Sequence, residues 1–82
     1  MKEVETKLIW ETFSSVMAYL AYPQDIKPLI EKTAGESQNV ENFMEKFKLT
    51  IAAEEDPTKK TDARIFLNEL RRAWGRASSK PT

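Results

Sequence analysis

The stretch Val40-Glu41-Asn42-Phe43-Met44-Glu45-Lys46-Phe47-Lys48-Leu49-Thr50-Ile51 decides the fold. Its apolar members Val40, Phe43, Met44, Phe47 and Ile51 recur at i, i+3, i+4, i+7 and i+11, the period of one helix face, and the stretch does not alternate as a half-buried strand would. Ser37 or Asn39 can cap its start by accepting bonds from first-turn amides. Pro57 limits its end, because the residue before a proline is pushed out of the α region. A helix over about 39–54 follows.

The same period extends in both directions. On the carboxyl side, Ala63, Phe66, Leu67, Leu70, Trp74 and Ala77 make an inner stripe, opposite Arg64, Asn68, Arg71, Arg72 and Arg76. A helix over about 58–75 fits, begun either by Asp56 as cap with Pro57 at the first helical position or by Thr61 as a later cap. Gly75 ends that helix or weakens its last turn by about 1 kcal/mol relative to alanine. On the amino side, Ile26, Leu29 and Ile30 give the buried edge of a short helix over about 26–34. There Asp25 would cap, Pro28 would fall in the first turn and Gly35 would close the end with a positive φ.

A first helix over about 3–21 carries Val4, Leu8, Ile9, Phe13, Val16, Met17 and Leu20 on one stripe, widened by Trp10, Ala18 and Ala21. Thr12 joins the charged residues on its other side, and Pro23 stops it. Four helices joined by short connections predict an all-α fold, a small irregular bundle forming a single helical domain over residues 1–77, with 78–82 as a flexible C-terminal tail.

Composition then removes most chemistries. The 82 residues contain no His and no Cys, so there is no imidazole base, thiolate, disulfide or zinc-thiolate site. Ser14 and Ser15 have neither a histidine partner nor a Ser-x-x-Lys spacing, which leaves no activated nucleophile. Glu41 with Glu45, and the run Glu54-Glu55-Asp56, read as solvated carboxylates at a helix surface and a helix end. No Asp-x-Asp-x-Asp-Gly calcium loop occurs, and the only glycines, Gly35 and Gly75, are too far apart to cradle a phosphate. The expectation is a protein that is not an enzyme, with no cofactor, no metal and no small-molecule substrate.

The longest uncharged run, Thr12 to Gln24, is too short to cross a bilayer, and the first residues lack the basic-then-apolar order of a secretion signal. The first helix mixes Lys and Glu on its polar face, unlike a membrane-surface helix. A soluble, cytoplasmic protein with no membrane partner is expected.

Binding remains. Thirteen Lys+Arg balance thirteen Asp+Glu, but residues 1–57 hold 6 basic and 11 acidic side chains (net −5) and residues 58–82 hold 7 and 2 (net +5). Such asymmetry serves either an internal match or an acidic partner. It also allows a salt-sensitive head-to-tail contact between copies. The leading expectation is a non-catalytic protein–protein interaction module (an adaptor, regulator or inhibitor) that docks on another protein or a second copy of itself through Trp10, Tyr19, Tyr22, Leu49 and Ile65, large side chains left over once each helix has one inward stripe.

The alternative is a nucleic-acid-binding protein using Lys59, Lys60, Arg64, Arg71, Arg72, Arg76 and Lys80, with Trp74 assigned to the inner stripe and not to base stacking. A helix-turn-helix over Ile26–Phe47 is disfavoured. Glu31, Glu36 and Glu41 stand where small or apolar residues are needed, and Glu36, Glu41 and Glu45 on the would-be recognition helix repel phosphate.

Overall fold

The computed structural model describes residues 1–78, and over these the chain is four helices with no strand. They are α1 (Glu3–Val16), α2 (Pro23–Gly35), α3 (Val40–Ala53) and α4 (Pro57–Ser78), with a 3₁₀ turn at Met17–Tyr19 between α1 and α2. The all-α bundle expected from periodicity is the fold observed. Helix α4, the longest, packs against each of the other three and forms the spine.

Each helix sends one stripe inward. Ile9, Phe13 and Val16 come from α1, Ile26 and Ile30 from α2, Val40, Phe43, Phe47 and Ile51 from α3, and Ala63, Phe66, Leu67 and Leu70 from α4. The Phe66 ring is the hub. It meets Phe13, Phe43 and Phe47 edge-on at centroid distances of 6.4, 6.2 and 5.4 Å, and Phe43 stacks on Phe47 at 5.4 Å. Edge-to-face packing places the positive ring edge on the negative ring face, a geometry worth more than the area it buries.

The first helix ends earlier than its stripe implies. The α-helical bonding stops at Val16, tightens into the 3₁₀ turn and gives way to extended backbone at Leu20, whose side chain still reaches the core. The cause is a competing acceptor. In a continuing α-helix the amides of Ala21 and Tyr22 would point at the carbonyls of Met17 and Ala18. Here they donate to the Asp62 carboxylate of α4 at 3.0 and 2.8 Å. The inward stripe is correspondingly narrower: Val4, Met17, Ala18 and Ala21 are exposed, whereas Thr12 is buried and returns its hydroxyl to the Leu8 carbonyl at 2.8 Å.

Helix α2 starts three residues before its expected position. Pro23 takes the first helical position and Tyr22 the cap, so Asp25 sits in the first turn and Pro28 lies inside the helix, on its exposed side. Pro28 has no amide to offer the carbonyl four residues back. Gly35 is the last residue of α2, and no glycine among the described residues has a positive φ. The end is closed by Glu36 and Ser37 amides donating to Thr33 and Ala34 carbonyls, by the Ser37 hydroxyl donating to Thr33, and by the Lys46 ammonium of α3 donating to the Glu36 carbonyl.

The other two starts follow their caps. Asn39 Oδ1 accepts from the Asn42 amide at 2.7 Å, and Asp56 Oδ1 accepts from Thr58 and Lys59 at 2.8 and 3.2 Å with Pro57 first in the helix. Asn39→Ala is therefore expected to cost about 1 kcal/mol, read as a lower urea midpoint at unchanged slope. An unmoved midpoint would show that water satisfies the Asn42 amide equally well. At its far end α4 runs through Gly75 to Ser78, beyond the expected stop at 75 and over the first residue assigned to the tail. The rest of that tail lies outside the described residues.

Candidate interaction surfaces

Asp62 organises the corner where α1 turns into α2. It falls on the inner stripe of α4, is only 3% exposed, and holds the two connecting amides with one carboxylate. Around these two amides every side chain of the connection except Leu20 faces outward. Tyr19 is 77% exposed, and Met17 and Tyr22 are also exposed.

Beside them, Trp10, Phe13, Ser14 and Met17 of the α1 side face Pro23, Gln24 and Lys27 of α2 across a groove of about 430 Å³. Along one wall Trp10 packs edge-on against the buried Phe13 ring at 6.0 Å. On the other side of the corner, Tyr19 and Ile65 line one shallow depression with Ala21, Pro57, Thr58, Thr61 and Asp62. Of the five residues expected to bind protein, Trp10 lines the first hollow and Tyr19 and Ile65 the second, while Tyr22 lines neither and stands exposed in the connection between them, its amide bonded to Asp62. Leu49 is exposed on α3 and lines neither hollow; Ile65 is half-buried and packs against the core.

The basic residues divide into two groups. Lys60, Arg64 and Arg71 line a groove of about 370 Å³ between α3 and α4. Lys48 and Ala52 of α3 face them, Asn68 stands between the arginines, and Ile51 and Leu67 form the apolar floor. None of these four cations makes an ion pair among the described residues. Arg72 and Arg76 instead approach the half-buried Glu69 carboxylate at 3.7 and 3.5 Å. Lys59 is half-buried outside the groove, and Lys80 lies outside the described residues. Trp74 packs against the core.

Lys48 is the groove residue that the basic C-terminal count alone overlooks. Spacing alone shows that positions 60, 64, 68 and 71 share one side of α4 and that 48 and 52 share one side of α3, but only the packing of α3 on α4 brings the two sides together. Glu41 and Glu45 are exposed, and among the described residues no cluster of three acidic side chains stands where a metal ion could be held. No helix among these residues is long and apolar enough to cross a membrane.

No curated protein and no solved structure matches the chain. A family model described as the MJ1579 family matches residues 6–73.

Proposed function

The chain belongs to the MJ1579 family, and we propose that it is a non-catalytic protein-interaction module, an adaptor or regulator that grips a partner at the α1–α2 corner. The observation that supports this reading is the exposure of Met17, Tyr19 and Tyr22 within six residues of one another, beside a groove walled by Trp10 and Phe13. Large apolar and aromatic side chains kept at a surface next to an apolar hollow are the usual anchors of an interface. The groove has room for one or two large side chains, and its charged rim residue is Lys27. The matching partner is an amphipathic helix offering an aliphatic or aromatic side chain with a carboxylate close by.

Selection of displayed helical peptides on the immobilised chain tests this. Peptides should be enriched in apolar side chains flanked by Asp or Glu, and their titration should move backbone resonances of residues 10–27. Met17→Glu with Tyr19→Glu should weaken binding at least 30-fold while leaving thermal stability nearly unchanged, because both sites are exposed. Leu49→Asp should leave it intact. A dimer seen by light scattering and broken by the same double substitution would make the partner a second copy. Equal enrichment on the wild-type chain and the double variant would remove the proposal.

A further inference from the structure

We propose that the α3–α4 groove is a second, independent site that takes the phosphate backbone of double-stranded nucleic acid. The groove brings Lys48, Lys60, Arg64 and Arg71 together with no carboxylate among its lining residues, and none of the four is neutralised by an ion pair among the described residues. Elsewhere on α4 the arrangement is the opposite, with Arg72 and Arg76 both directed at Glu69. The same helix therefore carries one pair of arginines engaged internally and one pair turned to an open groove.

Three features select the ligand. From position 60 to position 71 the cations extend about 16 Å along α4, a span of roughly five base-pair steps. A duplex presents one phosphate per ~1.7 Å of its axis, so several cations in that span can be engaged at once. Second, the apolar floor is already used: Ile51 and Leu67 are 6% and 4% exposed, leaving no free anchor of the kind a protein interface requires. Recognition here is by charge and by the guanidinium forks of Arg64 and Arg71, which match phosphate oxygens, with Asn68 between them as a neutral donor. Third, no aromatic side chain lines the groove, so it lacks the stacking platform on which single strands are held. The ligand is a duplex, contacted without reading its bases.

Fluorescence anisotropy with labelled mixed-sequence 20-base-pair DNA and RNA duplexes tests the proposal. The wild-type chain should bind at about 150 mM NaCl with a dissociation constant of about 10⁻⁴–10⁻⁶ M, and the logarithm of its affinity should fall with that of salt at a slope of about −3.6 if all four cations are used. Arg64→Gln with Arg71→Gln should halve that slope and weaken binding at least 30-fold. Arg72→Gln with Arg76→Gln, which removes the same charge outside the groove, should change it less than threefold. Met17→Glu with Tyr19→Glu should leave it unchanged, which separates this site from the α1–α2 corner.

Absence of wild-type binding, equal loss in the two arginine pairs, tighter binding of a single strand, or equally effective competition by a glutamate 20-mer would each overturn the proposal. So would a salt-sensitive dimer abolished by the Arg64 and Arg71 substitutions, which would assign the groove to the acidic face of a second copy.

Discussion

Phe66→Ala is expected to cost 3–5 kcal/mol, at the upper end for a single substitution. The ring is fully buried on the spine helix and touches aromatic rings from α1 and α3 at once. Truncation loses its transfer energy, opens a cavity and removes three edge-to-face contacts together. Collapse into the cavity is resisted because Phe43 and Phe47 are held stacked on each other, so neither can turn inward alone. A domain of this length has about 4–12 kcal/mol of stability in total. The variant should therefore melt about 12–40 °C lower, or be unfolded at room temperature, by calorimetry or circular dichroism. Leu49→Ala, at a position 70% exposed, should change stability by less than about 0.5 kcal/mol. A cost below 1.5 kcal/mol for Phe66→Ala would show that the three other rings hold the core without it.

The contrast between Phe66 and Leu49 was legible as spacing, since one lies on its helix's apolar stripe and the other does not. The same holds for α3 and α4 as a whole, whose register depends on neighbours three and four residues away. The end of α1 was not legible in that way. Up to Leu20 the apolar period continues, and nothing within a helical turn announces that two amides will find an acceptor forty residues further on. The start of α2 failed for a different reason. Pro23 and Pro28 both suit a first turn, and Asp25 makes the later start attractive; the structure places Pro23 first and carries Pro28 inside the helix. Gly35 invited a left-handed closure that became unnecessary once Ser37 and Lys46 capped the exposed carbonyls.

The surfaces show the same boundary between local and distant information. Separating Arg64 and Arg71 from Arg72 and Arg76 needs only the helical angle, because a one-residue step turns a side chain by about 100°. Including Lys48 needs the pairing of α3 with α4, which no single-helix pattern contains. The aromatic corner has a similar history. Tyr19 and Tyr22 read as large residues at the edge of a continuous helix, whereas their exposure comes from the break in that helix.

That break rests on one side chain, and Asp62→Ala is expected to destabilise the chain by about 3 kcal/mol, roughly 12–24 °C in melting temperature. Hydrogen bonds to a charged acceptor contribute about 1.5–3 kcal/mol each, and here two share one carboxylate, so their losses are not independent. The substitution leaves the Ala21 and Tyr22 amides without an acceptor at a partly buried corner. Asp62→Asn separates geometry from charge. An amide of nearly the same shape can accept from one backbone N–H but turns its own donors toward the other, so it should recover less than half of the loss. Hydrogen exchange gives the site-specific reading: protection of the Ala21 and Tyr22 amides should fall far more than that of Phe47 or Leu70. A second consequence follows for binding. With the connection released, Met17, Tyr19 and Tyr22 lose their fixed positions, and peptide affinity at the corner should drop even under conditions where the variant remains folded. Full retention of affinity in folded Asp62→Ala would mean that the aromatic corner is held by its own packing, and that the buried carboxylate serves stability alone.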